Sequence, residues 1–291
     1  MIIQNIIGGL GNQLFQYAFI YAQSRNRNTS FKLDISNFET YHLRKYALDQ
    51  YKIKNIIASD DEVTLLKYKN ETKLDKLIRK ILKKPKSMAS SYYKEPGVQF
   101  DCNVFFIKGD IYFDGYWQSA RYFENYRNEL LKQFTLKLLT LDATKKYLEK
   151  ISSTESVSLH IRRGDYVTNP RTNAIHGTCS ISYYQNAVSH IKKNIKQPYI
   201  FIFSDDLMWA KDNLSINEQL TFIELNNKFS DCDEIFLMSH CKHNIIANSS
   251  FSWWGAWLNT NPNKIVIAPQ HWFNDSSLKT DDLIPASWVQ L

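Results

Sequence analysis

The chain has 291 residues, 44% of them hydrophobic and 14% aromatic, enough to bury a large core and to form two domains rather than one. No run of 18 apolar residues occurs, and the first residues lack the basic region and long apolar stretch of a secretory signal, so neither a membrane span nor export is expected and a cytoplasmic location is. The net charge of +7 would suggest nucleic acid, but seven Lys/Arg and one Asp fall within residues 73–86, so that segment alone carries +6 and a basic nucleic-acid groove is excluded.

The chain opens as strand, glycine loop and helix: IIQNII, then GGLGN at 8–12, then the apolar-periodic QLFQYAFIYAQSR. FKLDI at 31–35 reads as a second strand. Residues 36–95 look irregular to helical and mostly polar, ending in a KEPG turn. Within them Leu74, Leu77, Ile78, Ile81 and Leu82 follow i, i+3, i+4, i+7, i+8, which predicts an amphipathic helix over 73–84, stopped before Pro85. Its ordinary role is a surface helix that packs its leucines on the core. The alternative is peripheral contact with an anionic membrane, on the inner face of a bacterial cytoplasmic membrane. A β-rich patch, VFFIKGDIYFDGYWQS, follows at 104–119, then two helical stretches to about residue 150 and a polar SSTES loop. We place the domain boundary at that loop: an N-terminal lobe over 1–150, a C-terminal lobe over 151–272 and a tail over 273–291.

From residue 156 the rhythm is regular. VSLHI (157–161), YIFIF (199–203), LTFIEL (220–225), NIIA (244–247) and KIVIA (264–268) are short apolar runs with helical stretches between most of them, the pattern of a doubly wound parallel sheet. Polar clusters stand directly behind four of these strands: Arg162-Arg163-Gly-Asp165, Ser204-Asp205-Asp206, Asn248-Ser249-Ser250-Phe-Ser252 and Pro269-Gln270-His271. In open α/β sheets the carboxyl ends of the strands form the binding crevice, so these clusters point to one ligand site. Arg162 and Arg163 present planar forks suited to phosphate oxygens, and one nearby acid, Asp165, leaves a positive surplus for an anion.

Other motifs carry less. The loop containing Gly11, Asn12 and Gln13 aims backbone N–H groups at an incoming anion or sugar, but Leu14 stands where a dinucleotide fingerprint needs its third glycine, and no Gly-Lys-Ser/Thr follows. Asp231-Cys232-Asp233 spells a D-x-D, yet it opens a helical run where acids are ordinary first-turn residues, so no metal is expected. Trp253, Trp254 and Trp257 read as packing residues. The four cysteines are irregularly spaced, which fits reduced thiols better than disulfides or zinc.

HIRRGDY at 160–166, GGLGNQLFQYA at 8–18 and LMSHCKHNIIANSSFSWWGAWLN at 237–259 resemble the α-1,2-fucosyltransferases of glycosyltransferase family 11, and HGTCSISYY at 176–184, FSDD at 203–206 and IAPQHWF at 267–273 fit as well. The resemblance runs along nearly the whole chain, with 36–95 the least similar part. It implies a GT-B-like α/β enzyme of two Rossmann-like lobes with the donor crevice between them. Such an enzyme moves L-fucose from GDP-fucose to the 2-hydroxyl of a galactoside, with inversion and without metal or other cofactor, in bacterial surface-glycan (O-antigen) synthesis on an acceptor that could be lipid-linked. Carried over, Arg162 would hold the β-phosphate, His160 and Arg163 would complete that site, and Asp165 would orient an arginine. Asn12 would reach the sugar-phosphate from the other lobe, Ser249 and Ser250 would contact phosphate or guanine-side groups, and Glu234 would take the guanine, with Asp233 as a substitute.

The chemistry of the residues agrees, because a departing diphosphate needs a metal or preorganised cations. For the acceptor proton, Asp165, His176, Asp205 and Asp114 all lie near predicted loops and no spacing singles one out; His176, Asp114 and Gln118 are the acceptor-side candidates. Three other readings compete: a transferase of another GDP-sugar, a protein O-fucosyltransferase-like enzyme and a non-catalytic nucleotide or glycan-binding module.

Overall fold

The computed structural model describes residues 1–40, 43–138, 142–225 and 230–291, with Ser230 described in its backbone only. The chain divides into two compact units, Met1–Phe134 and Thr135–Leu291. The division falls ahead of the SSTES loop, and the reason is the helix before that loop, which packs on elements of the second unit.

The first unit contains β1 (Ile2–Asn5), α1 (Leu10–Asn26), β2 (Phe31–Asp34), α2 (Asp60–Lys67), α3 (Lys73–Ile81), β3 (Tyr92–Lys94), β4 (Ile111–Asp114) and α4 (Arg127–Gln133). Its sheet runs β2-β1-β4-β3 and every pairing is parallel, with Ile2 opposite both Phe31 and Ile111 and Tyr92 opposite Tyr112. Parallel strands are covered on both faces, which is why β1 is buried at all four residues. Helix α1 is buried on nearly every side, its polar Gln13, Gln16 and Gln23 included. Phe19 of α1 stacks on Trp117 at 4.0 Å and meets Phe113 edge-on at 5.1 Å, so the core of this unit is largely aromatic. Strand β3 lies inside the stretch expected to be irregular or helical.

Helix α3 starts on a capping box in which Thr72 and Asp75 satisfy each other's backbone, and it stops at Ile81. None of its residues is buried. The expectation that its leucines pack on the core is therefore overturned.

The second unit contains α5 (Asp142–Ser152), β5 (Glu155–Ile161), α6 (Gly164–Thr168), α7 (Pro170–His176), α8 (Ile181–Asn194), β6 (Pro198–Ser204), α9 (Leu207–Asn213), β7 (Gln219–Phe222), α10 (Ser230–His240), β8 (His243–Ile245), α11 (Ser250–Leu258), β9 (Val266–Ala268) and β10 (Val289–Gln290). The sheet order is β10-β9-β8-β5-β6-β7, again with every pairing parallel. The chain thus builds outward from β5 in one direction, then returns to β5 and builds outward in the other. The topological switch point lies between β5 and β8.

Residues 273–291 are not a loose tail. They bury Leu283, Ile284 and Trp288 and end in β10, paired with β9 through Val289 and Ile267. Trp253, Trp254 and Trp257 are all buried, as expected of packing residues, and Trp253 Nε1 donates to the Leu283 carbonyl at 2.9 Å. The four cysteines are free.

Helices α10 and α11 cross closely at Gly255, where a Cβ would stand 2.7 Å from the Cβ of Met238. That neighbour is the root of a side chain and cannot swing away, so the helices must part. Gly255→Ala is expected to destabilise the protein by about 1–3 kcal/mol, read as a lowered thermal midpoint; an unchanged midpoint would show that the crossing has slack.

Candidate active site

The double arginine sits at the end of β5, beside the switch point. Strand register places Ile161 opposite Ser204, which brings the next residues, Arg162 and Asp205, side by side. Arg162 Nη1 lies 2.8 Å from Asp205 Oδ2, and its Nη2 is bonded to Asp165. The other oxygen of Asp205 accepts the backbone N–H of Arg163 at 2.8 Å. Arg163 in turn reaches Asp206 through Nε at 3.0 Å and lies 3.9 Å over the ring of Trp209, a cation–π contact. Three carboxylates therefore face two guanidinium groups. The positive surplus expected from one acid is absent, because Asp205 and Asp206 of the neighbouring strand end turn toward the arginines as well.

His160 belongs to this cluster by position but not by charge. It is buried, tilts against Phe251 at 5.4 Å, and is pushed down to about 3 by burial and then by the Arg162 guanidinium. It is a neutral imidazole at physiological pH and adds no cation to an anion site. His176, at the end of α7, joins through a stack: the Arg162 guanidinium lies 5.2 Å over Tyr166, whose ring stacks on His176 at 4.7 Å. Burial lowers His176 too, against the opposing pull of Asp165.

Across the switch point stands α11. Ser249 caps it by accepting the Phe251 N–H, and Ser250 is its first residue, half-buried. Asn248 and Ser252, expected at the ligand, do other work. Asn248 donates to the carbonyls of His176, Gly177 and Trp272, buckling three loops together, and Ser252 is wholly buried with its hydroxyl on the Ser249 carbonyl. Glu234 on α10 is half-buried, and its carboxyl is pushed up to about 8 by burial and then by Asp231, Asp205 and Asp233. In the D-x-D, Asp231 is exposed and Asp233 buried, so the two point apart on α10. Among the described residues no group of three or more His, Cys, Asp or Glu side chains converges in a way that could hold a metal.

In the first unit the glycine loop turns at Gly8, whose φ of +80° only glycine adopts readily. A side chain there would also press on Asn12, at 2.9 Å from its Nδ2. Asn12 accepts from Gln118 Nε2 at 2.8 Å, so a donor-side and an acceptor-side candidate meet. Gly11 is buried within α1, and Gln13 is wholly buried: its amide bonds the carbonyls of Gly8 and Lys45 and the N–H of Ala47. Gln13, expected at the ligand, braces the loop through these bonds. Asp114, at the end of β4, accepts from Asn5 at 2.8 Å and from the Tyr92 hydroxyl. Glu95, unmarked by any motif, accepts the N–H groups of Tyr116 and Trp117 at 2.6 and 3.0 Å, and burial pushes it up to about 7. It pins a turn in which Trp117, directly before Gln118, holds φ at +55°.

A family model described as Glycosyl transferase family 11 matches residues 1–291, the whole chain. The chain belongs to glycosyltransferase family 11. It is 38% identical over 298 residues to the alpha-1,2-colitosyltransferase of Escherichia coli, an alignment covering 100% of this chain and 99% of the relative. It is 34% identical to the Escherichia coli O-antigen biosynthesis glycosyltransferase WbnK, covering 98% of each. Galactoside alpha-(1,2)-fucosyltransferase 2 of Bos taurus is 22% identical, over 87% of this chain and 67% of that one. Among solved structures, a mutant of Arabidopsis thaliana FUT1 in complex with GDP superposes with a TM-score of 0.50 at 10% identity, covering 92% of this chain and 70% of that chain. That likeness is one of fold, and with the two parallel-sheet units it makes this glycosyltransferase GT-B-like.

Of the expected site residues, the family 11 fold gathers Arg162, Arg163, Asp165, Asp205, Asp206 and His176 into one cluster. Of the two rings beside the guanidinium groups, Tyr166 closes the HIRRGDY run but has no role assigned by it, and Trp209 stands in no motif; each lies a few residues past a strand end, which is the signal that could have found their task.

Glu234 gives the site a pH signature. Its folded value lies above the ordinary 4.5, so the folded state holds a proton that the unfolded chain has already lost. The stability this contributes is complete below 4.5 and is lost as pH rises through about 8. Glu234→Gln should therefore melt higher than the parent near pH 8, with the gap closing toward pH 4.5; a gap independent of pH would show that the carboxyl titrates normally.

Proposed function

We propose that this glycosyltransferase moves L-fucose from GDP-β-L-fucose to the 2-hydroxyl of a terminal galactoside, with inversion and without a metal, during assembly of a bacterial surface glycan. The observation that carries the reading is the pair of guanidinium groups held at the switch point of a doubly wound sheet, with the N-terminus of α11 across from them. The helix end presents its N–H groups, and Arg162 the Nη2 that a phosphate can take over from Asp165, to the position where a departing diphosphate gathers negative charge. Arg162 is bound to one carboxylate that is comparatively exposed, Asp165, and to one that is better enclosed, Asp205. A phosphate oxygen can replace Asp165 on Nη2 while Asp205 keeps the guanidinium aimed. The cations are then in place before substrate arrives, and little reorganisation is needed at the moment of bond breaking.

Glu234 suits the guanine, whose N1–H and amino group donate to a carboxylate. That pairing requires the ionised form, so nucleotide binding would draw the raised carboxyl down and expel a proton. In the first unit we assign Asn12 and Gln118 to contacts with the sugars. His160, neutral and buried behind Arg162, holds the strand end in place.

A second donor is favoured by one finding, the 38% identity to a protein named alpha-1,2-colitosyltransferase. Colitose is fucose without its 3-hydroxyl. A site that hydrogen-bonds that hydroxyl rejects the deoxy sugar by about 10⁴ or more, whereas a site that ignores it takes both with similar ease.

The test is GDP release with GDP-fucose, GDP-colitose and GDP-mannose against β- and α-galactosides. The expected result is turnover with GDP-fucose, linkage at the 2-hydroxyl and full activity in EDTA. Strict dependence on magnesium or manganese would overturn the metal-free reading, and a kcat/KM greatly favouring GDP-colitose would reassign the donor. Arg162→Ala should cost roughly a hundredfold or more in kcat. Arg162→Lys should be nearly as poor, because an ammonium cannot bond Asp205 and a phosphate through one planar fork.

A further inference from the structure

Helix α3 is amphipathic and has nothing to cover its apolar side. Leu74, Leu77, Ile78, Ile81 and Leu82 are 64%, 56%, 46%, 69% and 55% exposed. They form one stripe along the helix and its C-cap, and no described element lies over it. An apolar stripe of this size on a helix that contributes nothing to the core is the mark of an interaction surface.

The charge around the stripe says what the partner is. At about 3.6 residues per turn, Lys73 and Lys80 border the stripe on the Leu77 side, and Lys83, Lys84 and Lys86 follow its end. Arg79 is the exception, because it is taken up by Glu71 at 2.7 Å. The segment as a whole holds +6 of the chain's +7. Lysines at the edge of an apolar stripe extend their charged ends toward one plane while their stems lie along it.

The base of this segment is fastened. Tyr68 and Met88 form an antiparallel bridge, Lys69 N–H donates to the Ser87 carbonyl at 2.9 Å, and Ala89 N–H donates to the Lys67 carbonyl at 3.1 Å. Lys86 closes over the Tyr68 ring at 4.9 Å. Residues 69–87 therefore leave the body of the first unit and return to it at one point, carrying a helix whose apolar and basic faces are both presented outward.

We propose that α3 is a membrane foot: its apolar stripe inserts at the headgroup boundary of an anionic bilayer while its lysines engage the lipid phosphates. The partner is a lipid surface of net negative charge, since lysines along one edge and past the end of an apolar stripe complement such a surface on both counts. Each basic residue near an anionic leaflet multiplies binding by about fivefold, so the segment supports firm but salt-reversible attachment with no membrane span. Among the described residues no helix is long and apolar enough to cross a membrane. The inference does not rest on the donor or acceptor of the enzyme.

The test is sedimentation of the full chain with vesicles of phosphatidylcholine alone or mixed with phosphatidylglycerol, at low and high salt. The protein should pellet with the anionic vesicles at low salt, leave them at high salt and ignore the neutral ones. Leu77→Glu with Ile81→Glu, and separately Lys80→Glu with Lys83→Glu and Lys84→Glu, should each weaken binding about tenfold or more. All five positions are exposed, so the thermal midpoint and the turnover of a soluble acceptor should stay at parent values, which separates lost binding from lost folding. The foot is refuted by a protein that stays in solution with anionic vesicles at low salt, by equal binding to neutral vesicles, or by variants that bind as the parent does. It is equally refuted if the parent is a dimer that ignores vesicles and becomes monomeric with Leu77→Glu and Ile81→Glu, because the stripe would then be covered by a second copy.

Discussion

Asp205 sits where the second unit's site is decided. One oxygen holds the Arg162 side chain at 2.8 Å and the other holds the Arg163 backbone N–H at the same distance. Both contacts follow from the parallel register of β5 and β6, which puts the first residue past each strand beside its neighbour. They also require Gly164, since a Cβ there would come within 2.5 Å of Asp205 Oδ2. The glycine in the Arg-Arg-Gly-Asp run is therefore a matter of space for a carboxylate, and its backbone has no unusual φ.

That carboxylate changes what the arginine pair means. An uncompensated pair of guanidinium groups would repel each other and cost the fold stability until an anion arrived. With Asp165, Asp205 and Asp206 in place that repulsion is offset by ion pairs. Under the proposed function an incoming phosphate would compete with these carboxylates for the same N–H donors, an exchange of partners rather than a simple capture. For an enzyme this is a useful balance, because interactions that strengthen only as charge develops raise the rate more than tight ground-state binding does.

The sequence made the sheet of the second unit legible because parallel strands buried on both faces read as unbroken apolar runs. β10 escaped because two residues, Val289 and Gln290, form no run, and β3 escaped for the same reason with Tyr92–Lys94. The polar SSTES stretch is a helix-to-strand turn, and composition cannot tell such a turn from a domain linker. Site residues were legible by position but not by task. Gln13, Asn248 and Ser252 stand where ligand groups would stand, yet their side chains are consumed by backbone groups that loops leave unpaired. An amide that braces a loop and an amide that grips a sugar are the same residue in a sequence, and only distances separate them. Helix α3 shows the same limit: periodicity revealed its stripe, but nothing in a stripe says whether protein covers it.

The two sides of the switch point are mechanically joined, and this bears on how the site responds to an anion. His160, the next-to-last residue of β5, packs against Phe251, the second residue of α11. Phe251 N–H is also the donor that Ser249 caps. The strand that aims the arginines and the helix whose N-terminus faces them therefore share one contact. A charged imidazole there would oppose both positive sources, and burial beside Arg162 keeps it neutral. Of the balancing carboxylates, Asp205 and Asp206 stand past β6 and Asp165 on α6, so they flank the guanidinium groups from two elements. Under the proposed function the α11 N-terminus and the arginines would act on the same anion, and the contact between His160 and Phe251 ties the two together.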